Sequence, residues 1–367
     1  MRVPGFRPRR AASKDEAYVR RLVASMAALA IVSAALHAAV SAARQAGASD
    51  VNARKAVATR TWKPPRTSDG HPDLQGVWLS NIATPLERPK ALEGRQFLTD
   101  TEVADLKARA DQLFKSGDRD FAAGDNVFLE ALTNGQLKRG FSTENSVGMI
   151  DREFENRTSL IVDPPDGRIP ALTAVARQRQ AAAASARPRI PAGPEDFNNA
   201  YRCITTGVPK LGGLYGAGHF GYYQIFQSRS HVALVMETIH DARMIPLDDR
   251  QHLSETIRQW NGDSRGRWEG DTLVVDTTNF SPKSNFMGSA EHLHLVERFT
   301  RVGPDTITYE ITINAPTTWT KSWTAMMPLR RTTEKLYEFA CHEGNLPMLG
   351  MLTAARAEEQ AAVPPRE

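Results

Sequence analysis

The stretch 305–314, DTITYEITIN, alternates strictly between apolar and polar side chains. Ile307, Tyr309, Ile311 and Ile313 share one phase; Thr306, Thr308, Glu310 and Thr312 share the other. Successive side chains of a strand point to opposite faces, so a period of two demands a sheet with one buried and one wet face. From residue 222 onward, similar short runs follow one another: YYQIFQS, HVALVMETIH, ARMIPLD, TLVVDTTNF, LHLVERFTRV, TITYEITIN and KLYEFACH. Turn signals separate them, which predicts antiparallel neighbours that curl or close into a barrel. Two such turns lie in RQWNGDSRGRWEGDTLVVDTTNF, residues 258–280. Asn261-Gly262-Asp263-Ser264 is the first, and Trp268-Glu269-Gly270-Asp271 is a tight hairpin turn leading into the strand TLVVDTTNF.

The first half of the chain is less regular. Thr99 and Glu102 form a capping-box pattern, and Leu106, Ala110 and Leu113 follow at helical spacing. SLIVDPPDGRIP reads as a short buried strand stopped by Pro164-Pro165, and ALTAVARQRQAAAASA as a helix. The expected fold class is therefore α+β: a C-terminal antiparallel β-barrel or curled β-sheet with N-terminal helical decoration. The expected layout is a signal peptide over 1–42, a disordered leader over 43–60 and a mixed helical and strand segment over 61–200. An antiparallel β domain over 201–345 and a disordered tail over 346–367 complete it.

The signal peptide rests on order. Arg20-Arg21 precede the apolar run LVASMAALAIVSAALHAAVSA, which ends in small residues suited to cleavage after Ala42. That run is short for a membrane span and is interrupted by His37, so no stable span is expected after cleavage. The net charge of +4 owes much to the arginines of this segment, and no Lys/Arg stripe interleaved with aromatics follows, so no nucleic-acid partner is expected. Export leads to a periplasmic or secreted protein. In an oxidising compartment the two cysteines, Cys203 and Cys341, are expected to form a disulfide, the alternative being two buried thiols.

RTSDGHPDLQGVW, SLIVDPPDGRIPALT, METIHDARMIPLD, GDSRGRWEGDTLVVDTTNF, LHLVERFTRV and YEFACHEGN together resemble a family of exported bacterial hypothetical proteins, over roughly residues 60–345. The resemblance implies export and brings no reaction, cofactor or catalytic residue with it. Gly76-Val77-Trp78 ahead of a long β region is similar to the start of lipocalin-type barrels.

Several side chains are candidates for chemistry. Glu237, in phase with Val235 and Ile239, and Glu297, in phase with Leu293, Leu295 and Phe299, are expected on apolar strand faces. Two inward carboxylates sharing one cavity suit acid–base catalysis; the alternative is salt-bridging to Arg243 or Arg298. His292 and His294, two apart on a strand, are candidate metal ligands. Trp319, Trp323, Tyr222 and His219 are candidate ligand-binding residues, with core packing the alternative for the two tryptophans. No phosphate loop, dinucleotide fingerprint, nucleophile elbow or zinc-protease motif occurs, and no cofactor is indicated. These readings favour an exported protein that binds a small organic molecule in the sheet's cavity. A hydrolase or lyase/isomerase using inward Glu or His, and a cell-envelope interaction module without a small ligand, are the alternatives.

Overall fold

The computed structural model describes residues 62–113, 126–133, 152–186, 190–211, 221–284 and 286–362. The expected signal peptide and leader, and His219, lie outside the described residues. The chain divides into two units, Met1–Lys63 and Pro64–Glu367, and the second holds every helix and strand named here.

Among the described residues, ten strands form one antiparallel sheet. They are β1 (Gly76–Leu79), β2 (Ile161–Asp163), β3 (Tyr222–Gln227), β4 (His231–Met236), β5 (Ala242–Pro246), β6 (Asp263–Glu269), β7 (Thr272–Thr278), β8 (His294–Gly303), β9 (Thr306–Asn314) and β10 (Trp323–Thr332). The order is β5-β4-β3-β1-β10-β9-β8-β7-β6, with β2 added to β10. The alternation in β9 sets its faces as expected: Ile307, Tyr309, Ile311 and Ile313 are buried, while the threonines and Glu310 are part-exposed. β6 and β7 make the predicted hairpin, pairing Glu269 with Thr272 around Gly270 at φ +60°. The buried face is filled by large side chains, Trp78, Trp323, Tyr223 and Phe299 among them.

The two edge strands, β5 and β6, approach each other without a backbone ladder among the described residues. The sheet therefore curls but does not close into a barrel. Gly266 on β6 permits that approach: a Cβ there would lie 2.6 Å from Leu247 Cδ2 and 2.8 Å from Ile245 Cγ2. The side chain of Arg243 crosses the resulting seam.

Helices α1 (Asp100–Leu113), α2 (Asn126–Thr133), α3 (Ala174–Ala186) and α4 (Leu346–Ala362) decorate the sheet. α1 begins with the expected capping box, Thr99 N to Glu102 Oε2 at 2.8 Å and Glu102 N to Thr99 Oγ1 at 3.3 Å. α1 and α2 pack through a second apolar cluster around Leu106 and Phe128. Two expectations are corrected. Residues 346–362, read as part of a disordered tail, form α4, fastened by Arg356 Nη1 to Ala192 O at 2.9 Å. KLYEFACH forms no strand: residues 335–340 are irregular and the chain turns at Cys341 and His342, with Cys341 N bonded to Phe339 O at 2.7 Å. Cys203 and Cys341 form the expected disulfide, with Cα atoms 5.7 Å apart.

Candidate functional site

β8 alternates, and its inward phase carries Leu295, Glu297 and Phe299 into the core. Glu297 is 0% exposed, so its charge requires a partner. Arg243, from the inward phase of β5, supplies one across the seam: Nη1 donates to Oε1 at 3.0 Å and Nη2 to Oε2 at 2.5 Å. The Tyr309 hydroxyl donates to Oε1 at 2.5 Å. Arg243 Nη2 also reaches Thr277 Oγ1 at 2.9 Å and Ser264 Oγ at 3.0 Å. Burial opposes the charge on Arg243, but the Glu297 carboxylate more than offsets it and raises the guanidinium pKa. Burial and the same carboxylate push the Tyr309 and Tyr223 hydroxyls well up, so both are neutral.

Glu237 lies elsewhere. In β4 the inward phase is Val232, Leu234 and Met236, while Val235 is part-exposed. Glu237 follows the strand in helical backbone conformation and starts the 3₁₀ turn Thr238–His240. Its carboxylate accepts the Tyr337 amide at 3.1 Å. The expectation of two carboxylates in one interior cavity is therefore corrected. HVALVM is apolar at nearly every position, so its periodicity does not select a face. Tyr222 is half-buried beside Glu237, and burial together with Glu334 and Glu237 raises its hydroxyl pKa.

Trp319 and Trp323 are core residues, packed edge to face with ring centres 5.6 Å apart and both meeting Phe286. His292 sits exposed in the 3₁₀ turn Ala290–His292, and only His294 belongs to β8, so the two do not share a strand face. Among the described residues, no group of three or more His, Cys, Asp or Glu is arranged to hold a metal ion. His294 instead faces Asp276 on the outer side of β7, with Nε2 3.0 Å from both carboxylate oxygens. His252 reaches the same carboxylate with Nε2 at 3.0 Å and sets Nδ1 2.9 Å from Asp263 Oδ2. The Asp276 hydrogen bond raises the His294 pKa; Asp276 is lowered because the two histidines outweigh its burial. This strap fastens the 247–262 connection to the sheet. His252 carried no sequence signal, because its partners lie on other strands.

The strap positions one side of an open pocket of about 560 Å³ at the β5–β6 seam. Arg243, Met244, Trp260, Asn261, Asp263 and Ser264 line it. Its wall is pre-organised. Asn261 Nδ2 donates to Asp241 Oδ1 at 3.1 Å, and the Thr205 hydroxyl lies 2.9 Å from both Asp241 Oδ2 and Asn261 Oδ1. The Nε of Arg243 is buried and has no hydrogen-bond partner among the described residues. Two other pockets, one beside Arg66 and Arg229 and one beside Arg88 and Asp166, have no buried unpaired polar atom in their linings. Comparison of the chain with protein-family models, curated proteins and solved structures gives no match.

Proposed function

We propose that the protein is exported to the periplasm or medium, and that it binds a small organic molecule in the pocket at the β5–β6 seam. The packed interior argues against a ligand inside the sheet. The observation that carries the reading is the seam pocket itself: about 560 Å³, an aromatic wall in Trp260, and a pre-organised polar wall that includes a buried donor without an acceptor. That size and mixture suit a small molecule. The Cys203–Cys341 bridge, the order of the N-terminal sequence and the absence of a membrane-length apolar helix among the described residues are compatible with export. Catalysis by Glu297 has less support, because Arg243 and Tyr309 occupy its oxygens and the carboxylate is sealed from solvent.

Native mass spectrometry of protein purified from the periplasm tests the proposal. The expected result is a mature chain lacking the leader and carrying a discrete small-molecule mass that a Trp260→Ala variant fails to retain. A full-length chain confined to the cytosol, or a retained mass indifferent to Trp260→Ala, contradicts it.

A further inference from the structure

Three charged side chains line the seam pocket: Arg243, Arg258 and Asp263. Two of them are spent within the protein. The terminal nitrogens of Arg243 pair with Glu297, Ser264 and Thr277. The Asp263 side chain is 5% exposed, and both its oxygens are engaged. Arg265 Nη1 donates to Oδ1 at 2.7 Å, the Leu253 amide donates to Oδ2 at 3.0 Å, and His252 Nδ1 lies 2.9 Å from Oδ2. Arg258 is different. Its Nη1 donates to two backbone carbonyls, Glu291 O at 3.2 Å and Phe280 O at 3.4 Å, while its Nη2 has no hydrogen-bond partner among the described residues. Among the described residues, the one carboxylate within 4.0 Å is Glu291, with Oε2 4.0 Å from Nε, beyond hydrogen-bond range.

A guanidinium keeps its charge across the whole working pH range and offers its donors in a planar fork. Here two carbonyls fix the pose of the fork, and the side chain is only 28% exposed. Such a cation attracts an anion more strongly than a freely rotating surface arginine, because less side-chain freedom is lost and less water screens the charge. The rest of the polar wall leaves the sign unchanged: Asn261 is engaged with Asp241 and Thr205, and Ser264 with Arg243 and Thr277. One cation without a contacting counter-ion matches a monoanion, which favours a carboxylate over a phosphate dianion. The apolar side of the pocket is Trp260 with Met244, which is 62% exposed on the outward phase of β5.

We infer that the ligand of the seam pocket is a small organic acid whose carboxylate pairs with the Arg258 guanidinium, its apolar part lying against Trp260 and Met244. The inference rests on the seam-pocket reading. Because arginine does not titrate in this range, the preference for the anion is the same at pH 7 and pH 9.

Benzoate and its neutral isostere benzamide are suitable probes, titrated calorimetrically into the purified protein at pH 7 and pH 9. The inference predicts that benzoate binds roughly tenfold tighter than benzamide at both pH values, the size of one charge-assisted hydrogen bond. Arg258→Gln should bring the two probes to parity, and Arg258→Lys should restore part of the preference. Glu291→Gln, which removes the competing carboxylate without touching the pocket lining, should tighten benzoate roughly twofold and leave benzamide unmoved; it decides the matter if Arg258→Gln does not fold. Equal binding of the two probes in the unaltered protein, a preference that survives Arg258→Gln, or benzoate binding indifferent to Glu291→Gln overturns the inference and leaves the pocket standing. Failure of both probes to bind, or binding of both that is indifferent to Trp260→Ala, overturns the pocket reading and the inference together.

Discussion

Two buried cations, Arg243 at the β5–β6 seam and Lys210 on the irregular segment that follows Cys203, are treated in opposite ways. Arg243 is 5% exposed and Lys210 is 4% exposed. The two terminal nitrogens of Arg243 pair with Glu297, Ser264 and Thr277, all on strands beyond the seam, and so tie β5 to β6, β7 and β8. Lys210, on an irregular segment, has no hydrogen-bond partner among the described residues. At equal burial, pairing decides whether a charge supports the fold or burdens it. A desolvated ion with a bidentate partner locks an architecture, while one without a partner costs stability.

The largest expected effect is on the paired side. Arg243→Met leaves Glu297 in the core with Tyr309 but without its cation, which should cost about 3–5 kcal/mol in urea unfolding. Adding Glu297→Gln should recover much of that loss. A single-variant loss below about 1 kcal/mol would mean that the pair is not what holds the seam.

Next comes the bridge that anchors the segment bearing Lys210. Replacing Cys203 and Cys341 by Ala opens a loop with a sequence separation of 138. The chain-entropy argument sets an upper limit of about 5 kcal/mol, with about 4 kcal/mol expected. Hydrogen exchange should quicken first in residues 201–211 and leave β8 and β9 protected; uniform quickening would show that the segment and the sheet open as one unit.

Lys210→Met should have the opposite sign and stabilise the protein at pH 7. Below its folded pKa of about 8 the lysine is charged whether the chain is folded or unfolded, so the full cost of burying it is present. Between about 8 and the ordinary value of 10.5 the unfolded chain binds more protons, so wild-type stability rises with pH. The cost relieved is about 3 kcal/mol, and the advantage of the variant should fade over that window. A destabilised variant at pH 7 would mean that the lysine has a partner.

The half-exposed strap gives smaller effects. Asp276, with its lowered pKa, contributes stability that is lost as pH falls below 3.8; His294, with its raised pKa, contributes stability that is lost as pH rises past 6.5. Asp276→Asn should remove this shallow maximum, worth up to about 1 kcal/mol after solvent screening. Glu237→Gln should change stability by less than about 0.5 kcal/mol, since the carboxylate is part-exposed and an amide oxygen can still accept the Tyr337 amide.

Where one face of an element is wet, its structure is readable in the sequence. β9, the Glu269–Thr272 hairpin, the α1 capping box and the inward phase of Glu297 all follow from local pattern. Local pattern failed where long-range context overrode it. Pro328 disguises β10 as a non-strand, yet it is tolerated because it falls between β2, which pairs at Thr324 and Ala325, and β1, which pairs from Arg330. β6 hides behind Asp-Ser-Arg-Gly-Arg, which reads as turn chemistry, because its glycine serves the approach of the two edges. Arg243 was already named as an alternative partner for Glu297, but Lys210 was invisible: an irregular segment has no periodicity to betray burial.

The ionisation of the Lys210 amine tests the central claim most directly. It can be followed by ¹³C NMR of the lysine Cε, assigned by its loss in Lys210→Met. The account predicts titration near pH 8, because burial disfavours the charged form. Titration near the ordinary 10.5 would contradict it.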